Sequence, residues 1–576
     1  MAEAVSRWIR VPVGEDAGRW TTRGRCRTVL LVVHNVTSAT RLLDVLPLFR
    51  DDLGVQLLAT CTGSSPFQSG VAELLAEVGV PVLPWDQALH LGADLTISAS
   101  FGGALHDIPG KLLVLSHGVG YNKRLPRRTV GRPDARTPGQ PDVFGLAPEW
   151  VLAEGRPIAD ALVLSHPEQL ARLRASCPEA APTAVLAGDP CYDRILAARP
   201  RRERFRRALG VTRGQRLLLL NSTWNPESLF GDGGPDDILP LLLPRLTAEL
   251  PADEYRLAAV LHPNIWHGHG PGQIRTWLDR AQRAGLTLID PLSGWRQALI
   301  AADAVLGDFG SVSYYAAALG TPVLLGAGPL TVLGADSPVA AFVRQAPRLD
   351  PYAPLRPQLE ALLANHRPLP GPARLTSSAP GRSAALLRRT FYRLMGRAEP
   401  GAPALLDPLP LPPYQPVVRT APLRVLTGLP ATGGIAVTRF ATGPYEPAGE
   451  GGAHTAVHED TLDASLADQA DVILQYAAAD DPRLGPPEEW SAQALERFRY
   501  CALAAYVTSP DSCTLRTRRG RLVRLTAGPR GADPAVYASA LHAWLADGRS
   551  LEELSGEGMA VHTGHGTHRV AVTPLG

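Results

Sequence analysis

Apolar runs bounded by turn residues recur from Thr28 to Leu325, and stretches of helical periodicity separate them. Thr28–Val33 is apolar at nearly every position, as expected of a strand buried on both faces of a parallel sheet. His34 and Asn35 close it, and Thr37 reads as the cap of a helix carrying Leu42, Leu43, Leu46 and Leu48. Further strands are predicted at Val55–Thr60, Val80–Leu83, Asp94–Ser98, Lys111–Ser116, Ala161–Ser165 and Thr183–Gly188, with helices at Val71–Val78 and Pro167–Ser176. Asp189–Asp193 reads as a turn, and Pro200 signals the start of a helix over Arg201–Leu209. A second series opens with a strand at Arg216–Asn221. It continues through a helix (Ile238–Leu250), a strand (Arg256–Leu261), a helix (Gln273–Ala284), a strand (Leu286–Ile289) and a helix (Trp295–Ala302). Leu306–Leu325 then packs a strand end, a loop of small residues, a short helix (Tyr314–Leu319) closed by Gly320, and a last strand into one stretch. Strands alternating with helices predict doubly wound parallel sheets.

The chain therefore reads as α/β, with two facing Rossmann-like domains over residues 1–210 and 211–397. The helix over Ser383–Met395 either crosses back to the first domain or lies on the surface. Residues 398–422 contain Pro-Leu-Pro-Leu-Pro-Pro and read as a semi-rigid linker. Residues 423–576 read as a smaller α+β domain. Its expected strands are Leu423–Leu426, Gly434–Phe440, Val472–Gln475 and a pair around Thr514–Leu525, and its helices Ala492–Ala505 and Ala535–Asp547.

Composition removes whole classes of function. Lys+Arg 57 against Asp+Glu 55 leaves a formal charge of +2, no signature of a nucleic-acid binder. Six scattered cysteines suggest neither a disulfide framework nor a zinc site, and they fit a reducing cytosol. The first residues lack the basic-then-apolar order of a signal peptide, and no apolar run is long enough to span a bilayer. No P-loop, nucleophile elbow or H-E-x-x-H occurs. His562, His565 and His568 recur every three residues, but without a cysteine or acidic partner they read as surface histidines. His458-Glu459-Asp460 is an equally weak metal signal. No metal and no resident cofactor is expected.

Four polar clusters each follow an apolar strand: His117-Gly118, Thr223-Trp224, His262-Pro263 and Asp308-Phe-Gly310-Ser311-Val-Ser313. Open sheets build ligand sites at such strand ends. The free N–H groups at the start of the helix after Gly310 form a natural anion seat. After His117 comes a basic loop with Lys123, Arg124, Arg127 and Arg128, which reads either as a solvated surface or as a clamp for a phosphate-bearing acceptor or an anionic membrane.

In order along the chain, these residues resemble the CDP-glycerol glycerophosphotransferases of teichoic-acid and capsule synthesis. Ser-His117-Gly118 with Lys123 is similar to the family's Trp-His-Gly-Thr segment and its Leu-Lys. Gly188-Asp-Pro190-Cys-Tyr-Asp193 is similar to Gly-x-Pro-Arg-x-Asp. Thr223-Trp224 is similar to Thr-Trp-Arg, Leu-His262-Pro263 to Arg-x-His-Pro, and Asp308-Phe-Gly310-Ser311-Val312 with Gly320-Thr-Pro322-Val to Asp-Tyr-Ser-Ser-Val with Gly-Lys-Pro-Val. The chain departs from the pattern at Ser116, Asn225, Val260 and Gly310.

The resemblance implies a GT-B-like fold, with an acceptor-side first domain and a nucleotide-donor second domain. It implies transfer of a polyol phosphate from a CDP-activated donor to an acceptor hydroxyl, with CMP leaving and no bound metal. His117 would be the general base and His262 would hydrogen-bond the reacting phosphate. Asp308, Gly310, Ser311, Ser313, Thr223 and Lys123 would hold the donor, and Arg124, Arg127 and Arg128 the acceptor or a surface. The implied partners are a nucleotide-activated polyol or sugar and an envelope polymer or lipid-linked acceptor. The implied location is the cytoplasm, with peripheral contact at the inner face of the plasma membrane. The departures keep two alternatives open: a nucleotide-sugar glycosyltransferase or 2-epimerase on the same fold, and an inactive GT-B-like binding or scaffold protein.

Overall fold

The computed structural model describes residues 8–116, 118–125, 143–430, 433–443, 451–528, 532–564 and 566–575. The first sheet contains β1 (Arg27–Val33), β2 (Val55–Cys61), β3 (Val82–Leu83), β4 (Leu95–Ser98), β5 (Leu112–Val114), β6 (Ala161–Leu164) and β7 (Ala184–Leu186). The second contains β8 (Arg216–Ser222), β9 (Tyr255–Leu261), β10 (Thr287–Ile289), β11 (Ala304–Gly307) and β12 (Val323–Leu325). Both are parallel throughout, in the orders β3-β2-β1-β4-β5-β6-β7 and β10-β9-β8-β11-β12. Each begins in its middle and grows outward on both sides. The reversal falls between β1 and β4 in one sheet and between β8 and β11 in the other, which is where open sheets gather ligands. In register, Leu30 lies between Leu58 and Thr96, and Leu220 between Ala259 and Leu306. The apolar runs form strands here because helices cover both faces and every second residue has a core to enter.

Local signals place several helices one to three residues from their expected starts. Asn35, not Thr37, caps the helix Val36–Val45. It does so in a reciprocal box, with its side chain accepting from Ser38 N and the Ser38 hydroxyl accepting from Asn35 N. The expected turn at Asp189–Asp193 is the start of a helix, Pro190–Ala198. The Asp189 carboxylate accepts the N–H groups of Cys191 and Tyr192, and proline stands where no N–H is needed.

The helix Ser383–Leu394 crosses back. Leu387, Phe391 and Tyr392 are buried in the core of the first sheet, and Tyr392 and Arg397 both bond Asp52. The proline-rich segment after it is a laced strap as well as a connection. Arg194 and Arg201 donate to the carbonyls of Asp407 and Leu409, Gln297 to that of Pro410, and Gln415 N to that of Ala208. Extended proline backbone leaves its carbonyls unpaired, and side chains from both domains take them up, arginines from the first and Gln297 from the second.

The C-terminal domain combines helices with strands, and its strands close into a barrel that the α+β expectation did not specify. Its strands are β13 (Leu423–Gly428), β14 (Ile435–Ala441), β15 (Gly452–His458), β16 (Val472–Tyr476), β17 (Leu503–Ser509), β18 (Ser512–Thr517), β19 (Leu522–Ala527), β20 (Met559–Thr563) and β21 (Gly566–Leu575). They close into a barrel in the order β13-β14-β20-β21-β19-β18-β17-β16-β15. The alternation of β13, with Leu423 and Val425 buried and their neighbours half-buried, is that of a barrel wall. The helix Ala535–Ala546 packs with the inward residues, and Ala535 to Leu541 expose nothing on any side. A helix apolar all round belongs inside a core. The helix expected over Ala492–Ala505 stops at Arg497, and Leu503–Ser509 is strand. Ala504 and Ala505 favour helix intrinsically, but each faces a helix across the barrel wall, where a small side chain is required.

Candidate functional site

One cleft is lined by residues just beyond the carboxyl ends of strands from both sheets. Ser116 and Gly118 come after β5, Asn221 to Trp224 close β8, His262 comes after β9, Pro291 after β10 and Phe309 to Ser311 after β11. The helix after β1 contributes Thr37, Thr40 and Arg41. Spaced by three and four residues, these three share one helix face. Among the described residues that line the cleft there is no carboxylate, while Arg41, Lys123 and His262 do line it.

Asp308 lies beneath the floor, fully buried. Its carboxylate accepts the backbone N–H groups of Thr223 (2.8 Å), Gly310 (2.9 Å) and Leu229 (3.1 Å) and the hydroxyl of Ser222 (3.1 Å). Burial pushes its pKa up, and the three N–H bonds oppose that. It ties the ends of β8 and β11 together and does not itself line the cleft. Ser313 is equally buried and donates to Asn221 at 3.2 Å.

Gly310 and Ser311 open the helix Ser311–Ala318 into the cleft, and no side chain caps its first turn. A Cβ on Gly310 would stand 3.0 Å from both Thr223 Cβ and Asp308 Oδ1, so the packing of Thr223 over Asp308 excludes the family's serine without a shift. The Ser311 hydroxyl accepts the N–H of Val119 at 3.3 Å. This contact joins the loop after β5 to the second domain. Two backbone bonds extend the joint, Arg124 N to Val332 O and Gly334 N to Asn122 O, and together they form the antiparallel bridge of Lys123 with Leu333.

Lys123 is thereby carried across to the second domain. Its ammonium donates to Thr223 Oγ1 (2.9 Å) and Asn225 Oδ1 (2.8 Å), and it lies 5.0 Å and 5.6 Å from the ring centres of Phe309 and Trp224. Among the described residues no carboxylate reaches ion-pair distance. Burial lowers its pKa to about 8, against the pull of Asp308 and Glu227. Asn225 stands where the family has arginine, and an arginine could not accept the lysine's bond. His262 caps the helix Pro263–His269, with Nδ1 accepting Asn264 N at 3.1 Å. That bond fixes the tautomer: the neutral ring carries its proton on Nε2.

Of the remaining expected residues, Thr223 lines the cleft, whereas Arg124 does not. His117, Arg127, Arg128 and His565 lie outside the described residues. His562 and His568 bond Thr567 and Thr563, and His458 accepts Asp460 N and stacks on Tyr476. Among the described residues no group of three or more His, Cys, Asp or Glu side chains is placed to hold a metal ion.

Sequence reasoning missed Arg41. Only 7% exposed, it donates to Tyr315 Oη at 3.4 Å and lies 3.6 Å from Asp44. Burial opposes its charge, but Cys191, Tyr315, Asp189 and Asp44 hold its pKa above the ordinary arginine value. Asp44 also pairs with Arg296 at 2.6 Å and with Arg194, and Tyr315 donates to Asp189 at 2.6 Å. The signal was available: Arg41 falls one turn after Thr37 on the helix that follows the central strand.

No protein-family model matches the chain, and no curated protein matches it. Among solved structures, the wall teichoic acid polymerase TagF aligns at 12% identity and TM-score 0.42 over 64% of this chain and 89% of that chain. A glycosyltransferase from Rickettsia africae aligns at 10% identity and TM-score 0.35 over 65% and 100%. UDP-GlcNAc 2-epimerase from Methanocaldococcus jannaschii, in complex with UDP-GlcNAc and UDP, aligns at 11% identity and TM-score 0.41 over 63% and 99%. No helix among the described residues is long and apolar enough to cross a membrane.

Proposed function

We infer that the cleft binds a nucleotide-activated donor and that the protein transfers a glycerol phosphate or related polyol phosphate from a CDP-linked donor to an acceptor hydroxyl. One observation carries this reading: a cleft without a lining carboxylate among the described residues gathers Arg41, Lys123, His262 and an uncapped helix start. A pyrophosphate suits Lys123 and the uncapped helix start above all, because charge-assisted bonds and helix N–H groups both favour anions, while Arg41, already paired with Asp44, adds positive potential to the wall. The rings of Trp224 and Trp295 give the base a surface to stack on.

In this reading Lys123 and the N–H groups at Ser311 hold the pyrophosphate, and His262 donates from Nε2 to the phosphoryl oxygen that gains charge. His117 takes the acceptor proton as the acceptor oxygen bonds to phosphorus, the bond to the CMP oxygen breaks, and CMP leaves. The acceptor is an envelope polymer or lipid-linked polyol, met in the cytoplasm at the membrane's inner face. Release of CMP from CDP-glycerol tests the proposal: wild type should release it, and His117→Ala and Lys123→Ala should not. No release from any CDP-polyol, with saturable binding of a UDP-sugar, would sink it.

That outcome belongs to a second reading, a nucleotide-sugar glycosyltransferase or 2-epimerase. Gly310 and Val260 favour it, since neither offers the side-chain contact to phosphate of the residue it replaces.

A further inference from the structure

A second cavity, of about 500 Å³, lies where the second domain, the proline-rich strap and the barrel rim meet. Its volume is in the range that accepts a small organic ligand. It is remote from the cleft in topology: Gln215 and Asp253 precede β8 and β9, whereas the cleft sits at the opposite, carboxyl ends of those strands. Most of its wall is apolar, with Pro416, Val417 and Val507 among the residues that form it.

One cation in that wall is under-compensated. Among the described residues Arg419 donates from Nη2 to Ala252 O at 3.0 Å, and its Nε, packed beside Gly285, is buried without a partner. Among the described residues no carboxylate lies within ion-pair distance of it. Two acids, Asp253 and Asp533, line the same cavity, but both are committed to Arg439. Asp253 makes a two-pronged pair with fully buried Arg439 at 2.9 and 2.6 Å, and Asp533 bonds Arg439 at 2.7 Å and the Tyr476 hydroxyl at 3.0 Å. Arg439 also keeps an unpartnered Nη1. Burial and the neighbouring Arg439 together lower the pKa of Arg419, which an arriving anion would reverse. A buried donor left unsatisfied costs stability unless something occupies it.

We propose that this cavity is a binding site for a monomeric amphipathic anion, a carboxylate or phosphate monoester with an apolar body. Its head bonds Arg419 and its body lies against the strap valines and the barrel rim. Because the walls come from two domains and the strap, such a ligand holds the barrel to the second domain.

The test uses the full chain, with calorimetry and thermal shift against decanoate, decyl phosphate, decanol and inorganic phosphate. The anionic amphiphiles should bind saturably and raise the melting temperature, with decanol and inorganic phosphate at least tenfold weaker. Arg419→Gln should cut affinity for decyl phosphate at least tenfold, with CDP binding at the cleft unchanged. Val417→Trp, which fills the cavity and keeps Arg419, should abolish decyl phosphate binding. Decanol binding as tightly as decanoate would overturn the proposal, as would unchanged affinity in Arg419→Gln. Binding to phosphatidic acid vesicles without binding to monomeric decyl phosphate would replace the cavity by a membrane surface and equally overturn it.

Discussion

Two cationic regions border the same cleft and are built in opposite ways. Around Asp44, which is 2% exposed, three arginines converge on one carboxylate, and Asp189 with Tyr315 adds acid to the set. The group joins the helix Val36–Val45 to the helices Pro190–Ala198 and Trp295–Ala301, so it binds the two α/β halves together. Around Lys123 the described residues offer no paired carboxylate, only a hydroxyl, an amide oxygen and two rings. The first region keeps its charges by neutralising them internally. The second holds a charge the fold disfavours, as the lowered pKa near 8 records. A buried charge answered by protein serves the fold, and one left unanswered at a cavity wall is set for a ligand.

The sharpest way to break this contrast is to remove the acid. Asp44→Ala leaves three guanidinium groups facing one another and should cost about 3–5 kcal/mol in a denaturant titration. A loss no larger than that of an ordinary surface substitution would make the cluster incidental. Lys123→Met should do the reverse. Its melting temperature should hold or rise, while affinity for CDP should fall by roughly ten- to a hundredfold, the worth of one charged hydrogen bond. Cytidine, which lacks the phosphates, should bind both proteins alike.

The pH dependence follows from the sign of the shift. Below pH 8 Lys123 is charged and ready for an anion. Above it the free protein has lost that proton and must regain it on binding. With the pKa near 8, affinity for CDP should fall about tenfold from pH 7 to pH 9. Stability of the free protein moves the other way. The folded state binds this proton less tightly than the unfolded one, so the contribution rises as pH climbs from 8 towards the ordinary lysine value. Flat binding across this range would remove Lys123 from the anion site. The smallest effect is expected at Gly310. Gly310→Ala places a methyl group 3.0 Å from Thr223 and Asp308 and should cost about 1 kcal/mol, by overpacking and not by backbone strain, since φ is −76°.

Much of the first two domains was legible because their strands are local statements. Thr28–Val33 and Arg216–Asn221 are apolar at almost every position, and only a sheet covered on both faces uses such runs. The strand-end position of Thr223, His262 and Gly310-Ser311 followed from the same pattern. The barrel was not legible. Its β20 and β21 carry histidine, glycine and threonine among apolar positions and read as irregular chain. Its β17 begins in alanines whose own preference is helical. Closure depends on pairing β13 with β15 and β14 with β20, contacts that no local stretch announces.

The sequence by itself determined the alternation that builds two parallel sheets, and with it which residues stand at the carboxyl ends of strands. Short-range periodicity and turn chemistry are enough for that. Tertiary structure alone decided which of those residues face one another across a cleft. It buried Asp308 and Ser313 under the floor, carried Lys123 into the second domain, and brought Arg41 into the wall from a helix marked in the sequence by its leucines. The reason is that charge compensation is a property of space: whether a cation has its acid depends on residues as far apart in the chain as Asp44 and Arg296, or Arg419 and Asp533.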